Sequence, residues 1–508
     1  MVGTLAVGVT AVVRSAGVVE PVGVPWRVEW WIGAEDRWHR PAVEPSARQR
    51  ALPGVPVVET AVRVPGGDIT ARTAGVMGPG GTSWTVVEVS NRSAVPVALG
   101  WTVQGGTTAL GPGVVHRIDG RRVVLGRSPR SIEAPSALIP GTDELTGAVA
   151  VQPLAHTAIG WLAIEGGGTA SEFGAAGPLE DAERLTFPPL DRVVAGWAPF
   201  DEIGAQLSFG DDVLQTTFDA DRAVVRLAGD GGDAGADPLG AALIARAGAL
   251  AGADAVVRAR LELLGDLRRR KGSVRGDDEL VVTLSALRAW CASVWRGVAE
   301  PEDLVLPIAA AANWLVKRVR RSDRQRPEVV DAIVAAVGEA VATLAANDQV
   351  AAATKLAGAL AAMPIGATGS ARPVVDPVVV PVATPSGSPT VSASAVAHNV
   401  MAGAAARCGA AADVMAGFGG AGIELLPGWS PAWWGRAIEV HDLPTPWGAL
   451  SFALRWHGER PALLWEIVGG PSSLEISAPA LDPRWRSSGR TGEELLGAVE
   501  RPAIVSFS

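Results

Sequence analysis

The chain has 508 residues, enough for about three domains at roughly 150 residues each, and its 44 basic and 53 acidic side chains leave a net charge of −9. With 48% hydrophobic and 19% charged residues it carries material for a sizeable core and is no disordered chain. The acidic balance argues against a dedicated nucleic-acid binder, and two cysteines exclude a disulfide scaffold or a cysteine-based zinc site.

The opening run MVGTLAVGVTAVVRSAG has no basic residue before Arg14. It lacks the positive start of a secretory signal and reads as a β-strand. No stretch of about 18 uninterrupted apolar residues reads as a membrane span. The protein is therefore expected to be cytoplasmic, with no membrane partner.

Residues 1–229 read as one large β-sandwich, because short runs of Val, Thr, Ile, Leu and Trp are broken by Gly, Pro, Asn and Asp. Thr85–Val89 and Val95–Val103 flank Ser90, Asn91, Arg92 and Ser93, which predicts a hairpin; Asp119-Gly120 predicts another turn. Asp230 to Asp237 is a polar, glycine-rich break. From 238 to 363 the spacing turns helical: Leu280, Leu284, Leu287, Cys291 and Val294, then Ile308, Ala312, Leu315 and Val319. Asp277 or Asp278 caps the first of these helices and Pro327 opens a further one, along Val330, Val334, Val337, Val341 and Leu344. Leu356, Leu360 and Met363 mark one more. Short connections predict antiparallel hairpins. Residues 364–393 are rich in Pro, Ser and Thr and read as a flexible segment. Another helix is expected over 394–420, where Arg407 and Asp413 interrupt an Ala/Gly-rich run.

The last region, 436–508, reads as a small β-sandwich. Its clearest feature is a hairpin in which Leu450, Phe452, Leu454 and Trp456 face Leu463, Trp465 and Ile467 across the turn His457 to Pro461. The fold class is thus α+β and multidomain: a large N-terminal β-sandwich, a central helical-hairpin domain and a small C-terminal β-sandwich.

This layout resembles glucoamylase-like glycoside hydrolases built on an (α/α)6 toroid. The local likeness lies in Leu284–Trp290 followed by Leu306–Leu315, which is similar to a helical hairpin of those enzymes, and in Asn91-Arg92-Ser93, which is similar to turns in their N-terminal sandwiches. Trp26–His39 and Glu424–Trp429 look like blocks of actinobacterial relatives. The region between 238 and 420 offers six or seven helices, so the resemblance implies a partial α/α toroid, and no catalytic residue carries over with a motif behind it.

Glycoside hydrolysis needs two carboxyl groups, one a general acid with a raised pKa, the other a base or nucleophile. Glu35 and Asp36 sit between Trp31 and Trp38, and Glu424 precedes Trp429, Trp433 and Trp434. These three carboxyls are the catalytic candidates. Trp31, Trp38, His39, Trp429, Trp433 and Trp434 are the candidate sugar contacts, since indole faces stack on sugar rings beside hydrogen-bonding groups. The plainer readings are a salt-bridged turn for Glu35 and Asp36, a junction hydrogen bond for Glu424 and a packed joint for the tryptophans. Asp277, Asp278 and Glu279 open a helix and read as capping.

The six histidines are scattered singly, so no metal is expected, and neither a nucleophile elbow nor a phosphate-binding glycine loop occurs, so no cofactor is expected. The basic runs Arg268–Lys271 and Lys317–Arg321 read as solvated helix ends, with an RNA contact or acidic partner as the sharper alternative. Two functions remain open: a glycan-active or degenerate glycosidase, and a non-catalytic carbohydrate-binding or protein-interaction scaffold.

Overall fold

The computed structural model describes residues 1–5, 7–78, 81–106, 115–118, 121–126, 148–166, 187–229, 237–321, 327–363, 393–419, 422–471 and 474–501. The Pro-rich stretch 364–392 and the Asp119-Gly120 turn lie outside these residues. The described residues group into two compact units. One takes those of 1–199, 227–229 and 393–400; the other takes those of 200–226, 237–363 and 401–501.

The first unit is β-rich, as expected. Its strands are β1 (Val2–Thr4), β2 (Gly8–Val13), β3 (Val19–Pro21), β4 (Arg27–Gly33), β5 (Trp38–His39), β6 (Arg48–Ala51), β7 (Val57–Val64), β8 (Gly67–Met77), β9 (Ser83–Asn91), β10 (Val97–Gln104), β11 (Val115–Ile118), β12 (Arg121–Gly126), β13 (Ala148–Leu154) and β14 (Ile159–Glu165). They form two sheets, one in the order β1-β2-β3-β4-β10-β13 with β5 paired to β4, the other in the order β11-β12-β14-β9-β8-β7-β6. Trp30, Ile32, Leu99 and Trp101 from the first sheet share a core with Val62, Ile69, Val87, Val89 and Leu162 from the second. Burying a side chain such as Leu99 contributes about 1.5–3 kcal/mol. β4 is buried on both faces after Arg27, which explains its nearly unbroken Val-Glu-Trp-Trp-Ile run.

Two expectations are corrected in this region. β9 and β10 do not form a hairpin; they belong to different sheets, and residues 92–96 carry the chain from one layer to the other. The polar turn is a tie between layers. Asn91 Nδ2 donates to the carbonyls of Val95, Leu154 and Ala155 at 2.8, 3.1 and 3.2 Å, while its Oδ1 accepts from the Ser93 amide and hydroxyl at 2.9 and 2.7 Å. The stretch 187–226, expected to be the end of the β region, holds helix α1 (Leu190–Asp201), strand β15 (Gln206–Ser208) and helix α2 (Asp212–Arg226). Asp211 caps α2, its Oδ1 accepting from Val213 N and Leu214 N at 2.9 and 2.8 Å, and Phe218, Arg222 and Val225 then follow helical spacing on its buried side.

The central helices are α3 (Pro238–Ala251), α4 (Asp254–Leu267), α5 (Glu279–Arg296), α6 (Pro301–Arg320), α7 (Pro327–Ala346), α8 (Val350–Ala361) and α9 (Ala393–Met415). Asp278 caps α5 through Leu280 N and Val281 N, and Pro327 stands at the start of α7, as expected. Ile308, Ala312, Leu315 and Val319 are buried together with Leu287, Trp290, Val337 and Leu344. By length and composition α7 is apolar enough to cross a membrane, which the sequence reading missed; just over half of it is buried against the other helices, a property that a helix at the centre of a helical core shares.

The α4–α5 turn is locked by Gly272. Its φ is +100°, and a Cβ there would lie 2.3 Å from the Ala310 carbonyl oxygen of α6. Gly272→Ala is therefore expected to destabilise the helical region by at least about 2 kcal/mol, read as a lower midpoint in urea denaturation followed by helical circular dichroism.

The helix expected over 394–420 stops at Met415. Residues from Ala416 onward are strand β16 (Ala416–Gly419), paired with β17 (Gly422–Leu425). Three glycines between 417 and 420 disfavour continuing the helix, and Phe418 instead packs edge-on against Trp295, ring centres 5.1 Å apart. The remaining strands are β18 (Ile438–Thr445), β19 (Gly448–His457), β20 (Arg460–Val468), β21 (Glu475–Ala478), β22 (Asp482–Ser488) and β23 (Thr491–Leu495). They complete two sheets, β15-β18-β19-β20-β23 and β16-β17-β21-β22. The β19–β20 hairpin has the expected register, with Phe452 opposite Trp465 and Leu454 opposite Leu463. Leu450, Phe452, Leu454, Leu463, Trp465 and Ile467 are buried as expected, Trp456 at the strand end is half-buried, and Val468 on the other face is 62% exposed.

Candidate functional site

The first group of candidates lies on the β4–β5 turn. Gly33 pairs with Trp38 and Ile32 with His39, leaving Ala34 to Arg37 as the tip. Glu35 and Asp36 are exposed there. The sequence puts an aromatic on each side of this tip, but neither faces out. Trp31 and Trp38 are 6% and 3% exposed and pack with Ala98 and Val151. Trp31 Nε1 donates to Thr102 Oγ1 at 3.1 Å, and the Arg40 guanidinium stands 5.4 Å from its ring centre. Their role as sugar contacts is therefore replaced by packing.

His39 is buried between two carboxylates. Its Nε2 lies 2.9 Å from Asp36 Oδ1 and its Nδ1 3.2 Å from Glu44 Oε1. Arg37 grips Glu44 with two contacts at 2.5 and 3.2 Å. That grip, against some desolvation, holds Glu44 below the ordinary carboxylate range. Desolvation also opposes charge on Asp36, but the hydrogen bonds from His39 and the backbone outweigh it, so this carboxyl too sits below its usual value. A general acid for glycoside hydrolysis needs the opposite shift. Behind the turn, Arg40 holds the buried Glu29 at 2.7 and 3.0 Å. A recess lined by Gly17, Glu29, Trp30 and Pro41 lies in the same unit but encloses essentially no volume that a ligand could fill, whereas ligand pockets enclose about 300–1,000 Å³.

The second group belongs to the other compact unit. Glu424 is half-buried in the middle of β17, between Gly417 of β16 and Ser477 of β21. It does not stand at an element end. Trp429 follows in the turn, half-buried. Trp433 is 5% exposed and packs 6.4 Å from Phe209 by ring centres. Trp434 differs from these. It is half-buried and tilts against Trp456, ring centres 5.2 Å apart, with the Arg501 guanidinium 5.4 Å from its ring centre. Trp456 and Arg501 were not among the expected site residues; Trp456 reads as one more inward position of the β19 alternation, and Arg501 stands in a mostly apolar stretch that gives no periodic signal.

The carboxyls that burial pushes upward lie elsewhere. Burial raises Glu88, which accepts from the Leu190 amide at the start of α1. It also raises Asp219, held by Gln215, and Asp221, which nonetheless takes both nitrogens of Arg407 at 2.7 and 2.6 Å. Each is engaged by its own neighbours.

A charge network ties four helices together. Arg288 of α5 grips Glu339 of α7 through Nε at 3.1 Å, and reaches Asp413 of α9 at 2.8 and 2.5 Å. Arg246 of α3 reaches the same Asp413 at 2.5 and 3.2 Å. Desolvation works against a charged Asp413, but the two guanidinium groups overcome it and bring its pKa to about 2. Beside them burial raises the Cys291 thiol to about 12, so it stays protonated and unreactive. Cys291 and Cys408 are both buried free thiols. Among the described residues no cluster of His, Cys, Asp and Glu has the geometry of a metal site.

Compared with known families and with curated proteins, the chain matches no family model and no curated sequence.

Proposed function

We propose that the protein is a non-catalytic interaction scaffold of the cytoplasm. The observation that carries this reading is the engagement of candidate site residues: Trp31, Trp38 and Trp433 are buried in packed cores, and Asp36 is committed to His39, which Glu44 and Arg37 hold from the other side. A depressed Asp36 and buried indoles suit a rigid framework better than acid catalysis on a sugar. The two free cysteines accord with a reducing compartment. Glycoside hydrolysis in the manner of the glucoamylase-like enzymes is the competing function. The test is a glycan panel screened by thermal shift, with an assay for new reducing ends. No release is expected from any glycan. Release that disappears in Glu424→Gln or Glu35→Gln overturns the scaffold reading.

A further inference from the structure

After β23 the chain leaves its sheet and crosses an indole pair. Leu496 is buried, whereas Gly497, Ala498, Glu500 and Arg501 are exposed. Four contacts position residues 497–501. Gly497 N donates to Asp482 Oδ2 at 3.3 Å. Val499 N donates to the Glu459 carbonyl at 2.9 Å, the Val499 carbonyl accepts from Trp434 Nε1 at 3.0 Å, and Arg501 sits over the Trp434 ring. The indole pair is built independently of this segment: Trp456 Nε1 donates to the Arg436 carbonyl at 2.9 Å and the two rings brace each other. What 499–501 presents is a recognition pattern. An indole N–H reads a main-chain carbonyl, and the face of the same ring reads a guanidinium two residues further on.

We propose that Trp434 and Trp456 form a docking site for an extended, arginine-bearing peptide segment of a partner protein, and that residues 499–501 occupy it in cis as a displaceable strap. This deepens the scaffold reading by giving the chemistry of the partner. The occupant's chemistry follows from the chain's own segment seated there. Displacement is within reach because the strap beyond Leu496 is largely exposed and held by few contacts, which places it at the low-stability end of the fold. The strap also competes: being tethered, it acts at a high effective concentration, so a peptide in trans binds the intact chain weakly.

The test uses the full chain and a labelled peptide with the sequence of residues 496–502, followed by fluorescence anisotropy. Val499→Pro with Arg501→Ala removes the strap's amide donor and its cation, and this loosened chain is expected to bind the peptide about tenfold or more tightly than the parent. Arg501→Ala alone alters only an exposed side chain and is expected to give a smaller gain in the same direction, so the test survives if the double variant folds poorly. Trp434→Phe in either background should abolish the gain, and a peptide lacking its arginine should lose most of the affinity. The proposal is overturned if chains that melt like the parent bind no tighter than it does. It is equally overturned if the arginine-free peptide binds as well, or if a neutral oligosaccharide competes the peptide away. Glycan cleavage is scored separately, so failure here without cleavage removes the strap and leaves the scaffold reading standing.

Discussion

Arg288→Ala should lower the stability of the helical unit by about 3–5 kcal/mol, the range for breaking a buried ion pair from one side. The guanidinium is the hub of the network, gripping Glu339 and Asp413 at once. Glu339 is 4% exposed. Without Arg288 it becomes a buried carboxylate with no cation, while Asp413 keeps Arg246. Arg288→Met combined with Glu339→Leu should therefore be less harmful than Arg288→Ala, because it removes both sides of the Glu339 pair and leaves Asp413 with Arg246. Urea denaturation followed at the helical signal checks both. A double variant at least as unstable as the single one would show that packing around Arg288, not its charge, is what matters.

The same network fixes a pH dependence. Asp413 is depressed to about 2 in the folded chain, below the unfolded value of about 3.9. Its contribution is fully present above pH 4 and is lost as pH falls from about 4 toward 2, because the unfolded chain takes up the proton first. The carboxylate is about a third exposed, so solvent screening reduces the effect to about 1–2 kcal/mol. In Asp413→Asn this part of the acid limb of a stability profile should disappear.

Asn91→Ala should cost about 2–4 kcal/mol, since a buried polar group deprived of its partner costs about 1–3 kcal/mol and several are deprived here. Asn91 is 1% exposed. Its amide serves three carbonyls across the two sheets, and its oxygen serves Ser93. Asn91→Asp is the informative companion. It keeps the acceptor for Ser93 but turns an oxygen toward the carbonyls of Val95, Leu154 and Ala155, so it should be at least as destabilising as alanine. Amide hydrogen exchange in β9, β10 and β13 reads the effect locally. Protection unchanged in both variants would mean that the two sheets hold together without this tie.

Periodicity made most of the elements legible. Leu450, Phe452 and Leu454 alternate with Ser451 and Ala453, and their partners on β20 do the same, so a single register buries one face. Asp278 and Pro327 mark helix starts because unpaired first-turn amides and a missing N–H are local facts. The β9–β10 misreading has the opposite cause. A polar turn between two apolar runs looks the same whether the runs pair with each other or with other strands, and only the partners of Asn91 across the sheets distinguish them. The candidate site was less legible. Trp31 and Trp38 flank acidic residues in sequence, yet β4 is buried on both faces, which turns a sugar platform into core. Arg407 and Asp413 stood out in an Ala/Gly-rich helix, but their partners Asp221, Arg246 and Arg288 lie between 125 and 186 residues away.

The sequence by itself determined the α+β class, the order of β, helical and β regions and the inward face of the β19–β20 hairpin. These follow from spacing, capping and composition, which act over a few residues. Tertiary structure alone decided which strands share a sheet, which tryptophans are core and which one carries Arg501, and how four helices meet around Arg288. Those outcomes depend on what lies opposite each side chain, and the chain brings together residues whose separation along it carries no signal.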